Sequence, residues 1–125
     1  MGALEIGLAL VEMVPQGRAG EQDFVAQYYS DDIVSIEGQG SEEMPARIEG
    51  IAAIKGKHDW WYDNNDVHST SVEGPYVGHR EDQFIVKFTM DHTPNGGERT
   101  QMQEVALFTV KDDKIVQEEY LYLMG

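Results

Sequence analysis

The 125-residue sequence contains no cysteine. Disulfides, thiolate nucleophiles and Cys-ligated zinc or iron–sulfur centres are therefore excluded. Positive charge is scarce: 9 Lys and Arg stand against 23 Asp and Glu, a formal net charge of −14. A field of that sign repels phosphate backbones and anionic lipid surfaces, which argues against nucleic-acid binding and against a polybasic membrane anchor. No apolar run reaches the length of a membrane-spanning helix. The apolar stretch Ala3–Val14 carries Glu5 and Glu12, and no Lys or Arg precedes Arg18, so the basic region of a secretion signal is missing. No HxxxH or HExxH spacing exists and no strand–glycine-loop–helix surrounds Gly96-Gly97, so neither a metal nor a phosphate-bearing cofactor is expected. The expectation is one soluble, cytoplasmic domain over residues 1–125.

Periodicity turns from helical to alternating part-way along the chain. Ala3–Val14 places Leu4, Leu8 and Val11 on one helical face, with Ile6, Leu10 and Met13 beside them, and Pro15 and Gly17 stop it. A second helix is predicted from about Glu21 to Tyr29, broken by Ser30-Asp31-Asp32, with a short strand over Ile33–Glu37. Gly38–Pro45 reads as an exposed loop. A third helix over Ile51–Asn64 turns Ile51, Ile54, His58 and Trp61 to one side. Strands follow over Val67–Glu73, Gln83–His92, Gln101–Val110 and Ile115–Leu123, the last two joined by a tight turn at Lys111-Asp112-Asp113-Lys114. Helices first and antiparallel strands afterwards define an α+β fold with the helices on one face of the sheet.

The late strands are partly apolar on both faces. One face of Gln83–His92 holds Phe84, Val86, Phe88, Met90 and His92, and the other holds Ile85, Lys87, Thr89 and Asp91. One face should meet the helices. The other, around Val105, Leu107, Leu121 and Leu123, should meet a second subunit, making a homodimer.

The order Tyr29-Ser30-Asp31-Asp32…Glu37, Ile48-Glu49-Gly50-Ile51, Gly74-Pro75 and the closing Lys111-Asp112-Asp113-Lys114-Ile115-Val116 hairpin resembles the SnoaL-like branch of the nuclear-transport-factor-two-like superfamily. Ketosteroid isomerases, polyketide cyclases and limonene-type epoxide hydrolases belong to that superfamily. The resemblance implies a curved, mixed β-sheet wrapped as a cone around a pocket, capped by three helices in the N-terminal half, a cystatin-like α+β roll that usually dimerises. It also implies that Glu37 stands where ketosteroid isomerases carry their general base. Met13 and Ala106 stand roughly where those enzymes place their oxyanion tyrosine and aspartate, so both donors are missing.

With the strand parity above, the pocket is expected to be walled by Trp61, Phe84, Val86, Phe88, Met90 and Phe108, and to receive the polar groups Glu37, His58, His68, Glu104, Glu118, Tyr120 and Tyr122. A slip of one residue in the last strand would present Glu119 instead of Glu118. Inward acids beside a histidine suit proton transfer. Glu37, or a His58–Glu104 pair sharing the cavity with Trp61, would move the proton, and Tyr120 or Tyr122 would steady an oxyanion. Two functions fit: a cofactor-free isomerase, cyclase or lyase acting on a small apolar carbonyl compound, or a non-catalytic homodimeric protein that holds a small apolar ligand.

Overall fold

A computed structural model describes residues 2–122. Three α-helices, α1 (Ala3–Met13), α2 (Gly17–Tyr28) and α3 (Ile51–Asn64), accompany six strands: β1 (Tyr29–Ile36), β2 (Arg47–Glu49), β3 (Asn65–Tyr76), β4 (Gln83–Pro94), β5 (Thr100–Lys111) and β6 (Lys114–Leu121). The strands form one open sheet in the order β2-β1-β6-β5-β4-β3. All neighbours are antiparallel except β1 and β6, which run parallel and join the first strand to the last. The helices pack on one face of this sheet, α1 against β3 and β4 and α3 against β1, β2 and β3. Among the described residues, no helix is long and apolar enough to cross a membrane.

The expected parity holds along the central strands. Phe84 opposes Phe108, Val86 opposes Ala106, and Ala106 in turn opposes Tyr120. Phe84, Val86, Ala106 and Phe108 are buried with Ile6, Ile33, Ile54 and Ile115. Glu118 opposes Phe108 on one side and Ser35 on the other, so it, and not Glu119, is the inward acid of β6. At Asp112 and Asp113 the φ angles are +53° and +65°. Two successive left-handed residues define the type I′ turn that fits the right-handed twist of a hairpin.

The structure corrects several boundaries. α1 buries Ala3, Ile6, Gly7 and Leu10, whereas Leu4 and Leu8 are exposed. Pro15 lies in a 3-10 turn over Val14–Gln16, and α2 begins directly after it at Gly17 rather than near Glu21. Ser30-Asp31-Asp32 does not break the chain but belongs to β1, where an irregularity between Tyr29 and Val34 absorbs the polar residues. β2 went unread because three residues of pattern Arg-Ile-Glu carry no usable period. β3 continues through Gly74-Pro75, a cis peptide bond, to Tyr76. The third helix has its expected bounds; the side-chain amides of Asn64 and Asn65 donate to the carbonyls of Trp60 and Trp61, supplying partners to helix-end oxygens that otherwise have none.

Candidate active site

Between the helices and the inner face of the sheet lies a cavity of about 480 Å³. Its walls are largely apolar, as expected of a small-molecule site: Phe24 and Val25 of α2, Trp60, Trp61 and Tyr62 of α3, and Phe88, Met90, Met102 and Phe108 of the sheet. The loop between β1 and β2 closes one side with Gln39, Gly40, Ser41 and Met44. This loop is held by the Gln39 amide donating to the Tyr122 hydroxyl at 3.2 Å, and by the Trp60 indole donating to Glu43 at 3.2 Å.

Of the residues singled out in the sequence, Glu37, His58, Trp61, Phe88, Met90, Glu104, Phe108, Tyr120 and Tyr122 line this cavity. Phe84 and Val86 face the same way but lie deeper, in the core beneath α1, where Phe84 closes against Gly7. His68 is not in the cavity. A bulge between Val67 and Ser69 of β3 turns it outward, and its Nε2 meets the Thr93 hydroxyl at 2.8 Å. Glu118 stands behind the wall, fully buried.

The pairing of His58 with Glu104 does not form. His58 Nδ1 lies 3.2 Å from Oε1 of Glu21, close enough for an ion pair but not aligned as a hydrogen bond, so that oxygen has no donor. Burial, reinforced by Glu118, raises the Glu21 carboxyl above its ordinary value, and His58 partly offsets this. Val34 and Ile36 alternate to the face opposite buried Ser35 and leave Glu37 uncovered on that side. Glu37 is instead capped by Lys57, whose Nζ sits 2.6 Å from its Oε1.

Lys57, Glu21 and Tyr29 escaped the sequence reading. Lys57 follows Ile54 by three residues and precedes Trp61 by four, a spacing that shares the inward stripe, although a lysine on a helix is ordinarily exposed. Glu21 likewise shares the face of Phe24, Val25 and Tyr28. Tyr29 was read as the end of a helix, whereas it starts β1 with its ring in the core. Its phenol donates to Oε2 of Glu118, and the Tyr120 phenol donates to the same oxygen at 2.9 Å. Burial, and then the Glu118 charge, hold both phenols well above the ordinary tyrosine value, so both remain donors.

Glu104 is the acid with the most unusual setting. It projects from β5 opposite Phe88, and no hydrogen bond or ion pair to it is found among the described residues. Burial, and then the Glu37 charge, push its carboxyl up to about 7, against the pull of Lys57. A carboxyl poised there exchanges a proton near neutral pH in either direction. Around it stand Lys57 from α3, Glu37 just after β1, Glu118 and Tyr120 from β6, and Tyr122 just beyond β6.

A sheet folded over three helices around an apolar cavity with a knot of titratable groups defines a pocket protein of the α+β cone class. The SnoaL-like domain model matches residues 2–122, and the chain belongs to that family. Among solved structures, a Mesorhizobium loti protein assigned as a SnoaL-like polyketide cyclase is 41% identical, superposes with a TM-score of 0.84, and is matched over 94% of this chain and 97% of its own. A Pseudomonas putida protein assigned as a polyketide cyclase has a TM-score of 0.72 at 18% identity, over 99% of this chain and 93% of its own. A Mycobacterium tuberculosis protein solved in complex with estradiol-17beta-hemisuccinate has a TM-score of 0.72 at 15% identity, over 94% of this chain and 92% of its own. The last two share the fold alone. A search of curated proteins gives no match.

Proposed function

We propose that this protein catalyses cofactor-free proton transfer on a small, largely apolar carbonyl compound. One observation carries the reading: Glu104 is a carboxyl without hydrogen-bond partners among the described residues, in a largely apolar cavity, raised to about 7. As a carboxylate it takes a proton from the carbon next to the carbonyl; as the resulting acid it returns that proton elsewhere on the molecule, giving an isomer or setting up ring closure or elimination. Tyr120 has committed its proton to Glu118, so Tyr122, just beyond β6 on the cavity wall, is the phenol that faces the developing oxyanion. Glu37, held by Lys57, acts as a fixed charge beside Glu104 rather than as the base.

The test is exchange in heavy water. Cyclic ketones that perturb the protein's NMR spectrum are incubated in D2O, and deuterium uptake next to the carbonyl is followed. The wild type is expected to accelerate uptake, and Glu104→Gln to lower that acceleration by about 10²–10⁴-fold while still binding. Equal acceleration by both proteins would remove Glu104 from the reaction.

A second reading, a binding protein without turnover, is favoured by Met13 on the cavity wall and Ala106 buried beside it, two positions where a polar donor would have strengthened catalysis. Binding without exchange in the wild type would establish it.

The reading includes a homodimer. Ile85 opposes Leu107 and Val105 opposes Leu121 on the outer face of the sheet, and Ile85 and Leu121 are 38% and 50% exposed. Leu123 falls outside the described residues. Sedimentation is expected to give a dimer that Leu121→Lys converts to monomer; a monomeric wild type at micromolar concentration would refute it.

A further inference from the structure

We propose that Lys57 is a positioning residue that allots the proton of this cavity, holding Glu37 and Glu118 as carboxylates and leaving Glu104 as the group that gains and loses it. This rests on the reading of Glu104 as the proton-transfer group, but its test does not need turnover. Among the described residues, Lys57 is the only lysine or arginine lining the cavity. Its Nζ lies 2.6 Å from Glu37 Oε1, donates to the Ser35 hydroxyl at 2.8 Å, lies 3.8 Å from Glu118 Oε1, and sits 4.4 Å above the Tyr120 ring. An ammonium has three N–H groups. Two are directed at Glu37 and Ser35, and the third side faces Glu118 and the ring.

Each contact does something different. Glu118 Oε2 accepts both phenols, but its Oε1 has no hydrogen-bond donor at all. The ammonium is therefore the one cation within ion-pair reach of that oxygen among the described residues. Ser35 is fully buried and points the ammonium away from the solvent. The Tyr120 face adds a favourable electrostatic contact. Three carboxyl groups thus surround one ammonium, and a fourth, Glu21 on α2, feels it more weakly and faces His58. If all three were ionised the cluster would carry a net charge of −2, which a poorly solvated site does not hold. The acid that receives no donor is the one that takes the proton, and that acid is Glu104.

The experiment is a pH titration followed by NMR on protein with carbon-labelled glutamate side chains, comparing wild type, Lys57→Met and Lys57→Arg. The groups facing Glu104, namely Glu37, Lys57, Glu118, Tyr120 and Tyr122, are all within the observed set or fixed as protonated phenols. In the wild type one cavity carboxyl is expected to titrate near neutral pH. In Lys57→Met a second carboxyl should take up a proton near neutral pH, or the Glu104 midpoint should rise by about one unit. Lys57→Arg, which keeps the charge, should restore the wild-type curves. A folded Lys57→Met with unchanged curves would overturn the proposal. Should that variant not fold, the wild type decides alone: the Lys57 ammonium resonance is expected to shift with the same midpoint as Glu104, and a resonance indifferent to that titration overturns the proposal. Titration as expected with no ketone exchange would leave the role of Lys57 standing and retire the catalytic reading instead.

Discussion

Phe84 and Phe108 lie face to face across the β4–β5 ladder, with ring centroids 4.8 Å apart and planes within 13° of parallel. They form the floor on which α1 closes, and both are buried to within 1%. Phe84→Ala is expected to cost about 3–5 kcal/mol in urea unfolding. A double-mutant cycle with Phe108→Leu should show about 0.5–1.5 kcal/mol of coupling beyond area burial. Additive effects would mean that the stacked geometry adds nothing of its own.

The two phenols on Glu118 make a second stability prediction. Tyr29→Phe removes one of two donors to a fully buried carboxylate and should cost about 1.5–3 kcal/mol. Replacing Tyr29 and Tyr120 together leaves the buried Glu118 without a hydrogen-bond donor, with only the Lys57 ammonium at 3.8 Å, and should cost more than the sum of the single changes. Chemical denaturation of the three variants measures this, and a sum that merely adds would argue against a shared acceptor.

Burial of two carboxyls and one imidazole gives stability opposite dependences on pH. Glu104 holds its proton to about pH 7 when folded, against an ordinary value of 4.5. Its contribution is therefore fully present below about pH 4.5 and is lost as pH rises through about 7, by up to roughly 3 kcal/mol. Glu21, raised for the same reason of burial, adds in the same direction. His92 is lowered from 6.5, chiefly by burial, so its contribution is present above about pH 6.5 and lost as pH falls below it. Melting temperatures between pH 5 and 8 should lose the alkaline-side decline in Glu104→Gln and the acid-side decline in His92→Gln. A Glu104→Gln profile parallel to wild type would show that Glu104 ionises as readily folded as unfolded.

Two glycines should respond in opposite ways to alanine. Gly56 lies on the exposed side of α3, and a Cβ there meets nothing within 4 Å, so Gly56→Ala should stabilise by about 0.5–1 kcal/mol. At Gly40 a Cβ would lie 2.2 Å from the backbone nitrogen of Ala46. Gly40→Ala must spread the loop that walls the cavity, and ketone affinity should fall while the melting temperature changes little. Isothermal titration and calorimetry on both variants separate the effects.

Much of the architecture was legible because it rests on period. The alternation in β4, β5 and β6 placed Phe88, Met90, Glu104, Phe108, Glu118 and Tyr120 toward the helices, and the three-four spacing of α3 placed His58 and Trp61 there as well. What period cannot show is where a strand gains an extra residue. The bulge that expels His68 is such a case. Nor does period order residues by depth, which is why Phe84 and Val86 share the parity of Phe88 yet belong to the core. Partner choice is less legible still. His58 faces Glu21 instead of Glu104 because the fold brings the side chain of Glu21 on α2 to within 3.2 Å of it, a tertiary fact without a local sequence signal. Lys57 is illegible for a simpler reason: a lysine is ordinarily exposed, whereas its long side chain can carry the ammonium inward to waiting carboxylates.

The parallel ladder between β1 and β6 sets Ser35 beside Glu118, residues from opposite ends of the chain. The polar cluster therefore does not exist in any fragment that lacks the last strand. Contacts of such long sequence separation form late and slowly, since loop closure must precede them. A nascent chain released before β6 docks would have its helices and its central hairpins but no acid cluster. Ligand binding favours only a chain that has completed this closure, so ligand uptake during refolding times the docking of the last strand.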